Sequence, residues 1–177
     1  MTETDNAIQP TISTFSVTKR GKVAETYACF QSWDLSADLN DNLKRFRVEN
    51  PILAPTDKWL EEMRKILRVR FGHLERHQPL IILAQKGIEQ HQWAPILLWH
   101  LCYRELLLSD FLEQWLFPRK EEGLLRFRSH NVREYLASLK SRGLLERDWG
   151  ENTIDKMASS LPGYASTTIY KTNSYHG

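Results

Sequence analysis

The chain is poor in cysteine, in net charge and in uninterrupted apolar sequence. Its 177 residues contain two cysteines, Cys29 and Cys102, with no Cys-x-x-Cys pair and no histidine at metal-ligand spacing around either. Both lie in apolar helical surroundings and are expected to be buried thiols, because free cysteine behaves as a small hydrophobe. A net charge of only +2 gives no global field toward polyanions, so any nucleic-acid surface must come from local segregation of charge. The most hydrophobic stretch, Trp93 to Phe117, is broken by His100, Arg104, Glu105, Asp110 and Glu113, well short of the roughly 20 apolar residues of a membrane helix. A buried core element is expected there instead. Met1 to Pro10 carries Glu3 and Asp5 and lacks the basic and apolar regions of a secretory signal, so the expectation is a soluble cytoplasmic protein.

Catalytic signatures are equally scarce. There is no glycine-rich phosphate loop, no Gly-x-Ser-x-Gly elbow and no convincing pair of carboxylates. His73 and His77 stand at i and i+4, a spacing that can hold a metal, but His-Leu-Glu-Arg-His is not the zinc-protease order and a third ligand is missing. They read as a surface pair at a helix end, and His100 as a hydrogen-bonded core histidine. The expectation is a protein without enzymatic activity, metal or cofactor.

What is present is helical periodicity in a composition, 41% hydrophobic and 26% charged, that suits a folding globular chain. After a leader at 1–18, with one short strand expected at Phe15 to Thr18, Val23, Tyr27 and Phe30 recur at helical spacing. Ser36 is placed to cap a second helix over Ala37 to Phe46, and the two prolines of Glu49-Asn-Pro-Ile-Leu-Ala-Pro55 must break it. Thr56 then sits where an N-cap belongs, with Asp57 in the first turn of an amphipathic run to about Phe71. Helix, turn and capped helix in this order permit a helix-turn-helix arrangement with a long connection. A short helix over Pro79 to Gln90 precedes a strongly apolar one with Pro95 near its first position. Asp110 and Glu113 resemble a capping box, and Ser129 opens a helix with Val132, Tyr135, Leu136 and Leu139 on one face that closes at Gly143. Asn152 to Leu161 reads as a short helix, Pro162-Gly163 as a turn and Tyr164 to Tyr170 as a strand. Trp99, Leu106, Phe111 and Trp115 are the expected aromatic and aliphatic core of the central region.

The architecture implied is mainly α, a helical bundle of two small lobes with a minor C-terminal β element. The leader occupies 1–18, an N-terminal lobe with a possible helix-turn-helix 19–90, and a C-terminal lobe 91–177. Two basic faces stand out. Lys58, Glu61, Lys65 and Arg68 lie opposite Trp59, Leu60, Met63, Ile66 and Leu67 on a helical wheel, a face that is basic but not purely so, in a segment, Lys44 to His77, with nine basic against five acidic residues. Arg70 projects into the apolar stripe and is expected to be paired or snorkelling. Arg126, Arg128, Arg133 and Lys140 form the second set, with Arg133 and Lys140 seven residues apart on one helix face. Cations fixed on rigid helices contact phosphates without reading sequence, so the residues alone leave two readings of both sets, a nucleic-acid surface or ordinary solvated faces, and the first is the expected work.

The run Trp99-His-Leu-Cys102-Tyr-Arg104-Glu-Leu-Leu-Leu-Ser-Asp110-Phe111, followed by Phe117, resembles the central helices of the BrxA family of BREX bacteriophage-defence systems. Asn42-Leu-Lys-Arg-Phe leading into Lys65-Ile-Leu-Arg-Val-Arg70, and the Val132 to Leu145 helix ending in Gly-Leu-Leu, occur in the same order as in that family. The resemblance covers roughly residues 22 to 147. It implies an all-helical protein, similar to winged-helix and antitermination-factor folds, that binds double-stranded DNA in bacterial defence without known catalysis. It also implies a longer C-terminus than one ending at Gly177. Two further readings stand beside it: an RNA-binding factor that uses the same basic helices as antiterminators do, and a scaffold that docks other BREX proteins by its charged faces.

Overall fold

The structure is a computed structural model and describes residues 12, 14, 17, 19–72, 74–103, 105–123, 128–145 and 148–168. Helix α1 spans Val23–Gln31, α2 Leu39–Glu49 and α3 Asp57–Arg70. A 3-10 turn at Leu74–His77 leads into α4, Gln78–Gln85, and α5 follows at Gln90–Cys102. Helix α6, Leu106–Asp110, runs through a π-helical turn, Phe111–Leu116, into α7, Phe117–Glu121. Helices α8, Ser129–Ser141, and α9, Glu151–Thr168, complete the described fold.

The mainly α expectation holds, and no strand occurs among the described residues. The winged-helix character and the C-terminal β element are not supported. Tyr164 to Thr168, expected in a strand, lies in α9, which runs through Pro162 and Gly163 without a turn, while Ile169 and Tyr170 lie outside the described residues. Local propensity loses here to packing. Met157, Ala158, Leu161 and Tyr164 recur at helical spacing and are all buried, and ending the helix at Pro162 would remove Tyr164 from that stripe. Of the strand expected at Phe15 to Thr18 only Val17 lies within the described residues, and it is buried.

Helix α5 is the hub and touches α1, α4, α6 and α9. Pro95 sits inside it rather than at its start, because the Glu89 carbonyl already receives the Gln92 and Trp93 amides at 2.9 and 3.0 Å. At about 100° per residue, Trp93, Ala94, Leu97, Leu98, His100 and Leu101 share one broad buried face. Trp99 and Tyr103 fall on the opposite side and are 57% and 67% exposed, so Trp99 is not the core residue that the apolar run leads one to expect. Of its companions, Leu106 is half-buried, whereas Phe111 and Trp115 are buried and stack with centroids 5.2 Å apart. Pro118 explains the wide turn before it. A proline in a tight α-helix collides with the carbonyl four residues back and donates nothing to it, and the π-helical turn opens that spacing.

Asp110 does not form a capping box. It accepts from both terminal nitrogens of the Arg142 guanidinium at 2.9 and 2.5 Å and from the Tyr135 hydroxyl at 2.9 Å, which fastens α8 to the α6 segment. Glu113 accepts instead from the Ser109 hydroxyl at 2.8 Å. Ser36 likewise spends its hydroxyl on Asp34, so the cap of α2 falls to Asp38, which accepts the Asp41 amide at 2.8 Å. The expected Thr56 cap is present, with the Trp59 amide 3.2 Å from its hydroxyl oxygen, and Gly143 closes α8 at φ 68°.

Candidate nucleic-acid interface

Helices α2 and α3 pack against each other through Leu43, Phe46, Leu60, Met63, Ile66 and Leu67, all buried. That packing turns the polar faces of both helices outward. Lys58, Lys65 and Arg68 are exposed on α3, as the helical wheel leads one to expect, and Arg47 of α2 is exposed beside them. None of these four cations has an ion-pair partner among the described residues. Arg47, Lys58 and Arg64 line a hollow of about 360 Å³ together with Asp57, Leu60 and Glu61. Glu61 takes two hydrogen bonds from Arg64, at 2.9 and 2.5 Å. Its carboxyl is held below the usual carboxylate range, first by the Arg64 hydrogen bonding and then by the charges of Arg64, Lys65 and Arg47. Cations from both helices therefore converge on one carboxylate and exceed it in charge.

Arg70 leaves this face. It is buried, and its guanidinium donates to the carbonyls of Arg20 and Gly21 at 2.5 and 3.0 Å and to the Tyr164 hydroxyl at 3.2 Å, the paired state expected of it. On the opposite flank, Lys19 holds Glu62 at 2.6 Å, and the Lys22 ammonium lies 4.0 Å over the Trp59 ring.

The second basic set is arranged differently. Arg126 lies outside the described residues. Arg128 is exposed just ahead of α8, where its amide donates to the Asn131 side chain at 3.0 Å. Arg133 pairs with Glu151 at 3.3 Å and with Asp155, and Lys140 pairs with Asp148 at 2.7 Å. Carboxylates of α9 and of its approach thus already occupy the α8 cations. Of the seven proposed contacts, the structure brings Lys58, Lys65 and Arg68 together and adds Arg47. That residue was missed because its neighbours arise only when α2 folds onto α3.

The histidines and cysteines offer little chemistry. His73 lies outside the described residues, and His77 is not on the surface: it is buried, with Nδ1 3.3 Å from Nδ1 of His100 and its ring edge-on to Phe71. His100 is the hydrogen-bonded core histidine expected of it, and burial lowers its pKa. Cys29 is buried and Cys102 half-buried. Burial pushes the Cys102 thiol up to about 12, assisted by Glu113 and Glu105, so it stays protonated at neutral pH.

The fold therefore defines an all-helical protein, by its described residues, with an unneutralised basic face on a two-helix unit. The family model of BrxA matches residues 13–165, nearly the whole chain, and the protein belongs to the BrxA family. No curated protein and no solved structure matches the chain. Among the described residues no helix is long and apolar enough to cross a membrane.

Proposed function

We propose that the chain is a non-enzymatic, cytoplasmic component of a BREX bacteriophage-defence system that binds double-stranded DNA through the outer face of α2 and α3. Family membership supports the defence role. The observation that carries the binding role is the grouping of Arg47, Lys58, Lys65 and Arg68 on one side of the unit with no direct ion pair among the described residues, Glu61 nearby being bound by Arg64, while Arg133 and Lys140 are paired. Phosphates need break no direct ion pair among the described residues to reach the first group, whereas they must compete with fixed carboxylates at the second. The helix, turn and helix order supports a duplex in particular, because such a unit presents its second helix to a groove.

A salt titration of duplex binding tests this directly. Steep weakening with salt is expected, and a duplex RNA of the same sequence in competition separates the antiterminator-like reading. Binding without salt dependence would remove the phosphate interface. The scaffold reading draws on a different place, the bare Trp99 and Tyr103 rings, which meet edge to face at 4.8 Å. Exposed aromatics of this kind suit a protein partner, and capture of another BREX component that fails with Trp99→Ala would favour it.

A further inference from the structure

Of the two barest large aliphatic side chains of the described residues, Val48 stands in the last turn of α2 and Leu53 in the turn that leads on to α3. Val48 and Leu53 are each 85% exposed. Leu53 also has φ 49°, a left-handed backbone that L side chains rarely adopt. Leucine suits this place on neither count, since glycine would relax the backbone and a polar residue would suit the solvent. The turn around it is stiff. Asn50, itself at φ 45°, receives the Ala54 amide on its side-chain oxygen at 2.8 Å and donates from its side-chain nitrogen to the Ala54 carbonyl at 3.1 Å. The Leu53 amide donates to the Asn50 carbonyl at 2.9 Å. Ile52 and Ala54 pack inward against the core, so Leu53 between them is held outward. Cations flank the turn on both sides, Arg47 at the end of α2 and Lys58 at the start of α3, and both line the same hollow.

A rigid apolar projection set between cations is the chemistry of a side chain pressed between base pairs. Phosphates of the two strands hold the cations while the aliphatic group enters the minor groove and unstacks one step. We propose that Leu53 is a wedge that inserts at a deformable pyrimidine–purine step and bends the duplex bound by α2 and α3. The proposal rests on the DNA-binding reading above and adds to it a mode of contact. A second protein would meet the same four cations, which hold no direct ion pair among the described residues, so charge complementarity favours a polyanion as the occupant.

The full chain should be titrated into a short duplex labelled at both ends for energy transfer, with 2-aminopurine at a central TA step. The expected result is a shorter end-to-end distance and a rise in 2-aminopurine emission on binding. Leu53→Ala should abolish both and weaken binding roughly tenfold, the scale of burying one leucine, with the salt slope unchanged. Leu53→Gly, which fits φ 49°, should behave alike and keeps the test sound if the alanine variant folds poorly. Salt-dependent binding with no bend, or a bend that persists in both variants, would overturn the wedge and leave the phosphate interface standing. Absence of duplex binding by the parent chain would overturn both. Preference for duplex RNA, whose minor groove is wide and shallow, would also overturn the wedge. So would a dimer in sedimentation that dissociates on Leu53→Ala while the bend is unaffected.

Discussion

The Arg70 guanidinium donates to the Tyr164 hydroxyl across 3.2 Å and thereby joins the last turn of the basic helix α3 to helix α9, 94 residues away in sequence. The same guanidinium holds the carbonyls of Arg20 and Gly21 ahead of α1. Three chain segments thus meet on one buried cation. Arg70→Met should cost about 3 kcal/mol, because it leaves buried acceptors without their donor, while Tyr164→Phe should cost about 1 kcal/mol, since the two carbonyls keep their guanidinium. Urea unfolding of both variants checks the order, and equal losses would mean that the carbonyl contacts contribute nothing.

Trp93 and Trp99 stand six residues apart on α5 and face opposite ways. Trp93 is fully buried with its indole nitrogen donating to the Leu80 carbonyl at 2.9 Å, and Trp99 is 57% exposed. Trp93→Ala should cost about 3 to 5 kcal/mol, whereas Trp99→Ala should change the unfolding midpoint little. Acrylamide quenching should lose its most accessible component only in the Trp99 variant, while the half-buried Trp59 and Trp149 still contribute. A Trp99 variant as unstable as the Trp93 variant would place that ring in the core after all.

The same pair marks how far the sequence is legible. A wheel of α3 separates Leu60, Met63, Ile66 and Leu67 from Lys58, Lys65 and Arg68 correctly, because that helix alternates apolar and charged residues every turn. In α5 both sides are apolar, so periodicity carries no contrast and only the tertiary neighbours reveal which tryptophan is covered. Caps follow a similar rule. Thr56 is read correctly because its acceptor serves an amide three residues on, while Asp110 is misread because its partners, Tyr135 and Arg142, come from another helix. The difference between the two basic sets has the same origin, since the carboxylates that occupy Arg133 and Lys140 lie beyond the end of α8, outside the helix that a wheel displays.

Stability should fall on acidification through the His77–His100 contact. With the two Nδ1 atoms 3.3 Å apart, one ring donates and the other accepts, and protonating the acceptor removes the bond. The rings around the pair, Phe71 against His77 and Trp99 against His100, supply no charge to stabilise a second proton. Burial holds the His100 pKa below its ordinary 6.5 in the folded chain. The unfolded chain therefore takes up a proton near that pH while the folded chain resists until lower pH. The contribution is complete above about pH 6.5 and is lost as pH falls from there through the folded pKa. Urea midpoints measured from pH 7.5 to 5 should decline, and His100→Gln should flatten the decline. An unaltered slope in that variant would assign it to other groups.

Charge reversal on the two basic helices should separate their roles. Lys65→Glu with Arg68→Glu changes exposed residues that hold no ion-pair partner among the described residues, so melting should move by no more than a few degrees. Duplex affinity should drop, and the slope of log K against log salt should fall by about two if both cations meet phosphates. Arg133→Glu with Lys140→Glu breaks three contacts, to Glu151, Asp155 and Asp148, and sets like charges against each other along the α8–α9 seam. Each exposed pair contributes only about 0.2 to 1 kcal/mol, but their shared loss together with the new repulsion should lower melting measurably. The salt slope of duplex binding should then stay near the parent value, because phosphates gain little from cations that α9 already neutralises. A slope that falls by about two in the Arg133/Lys140 variant, with the Lys65/Arg68 variant binding like the parent at every salt concentration, would move the interface from α3 to α8.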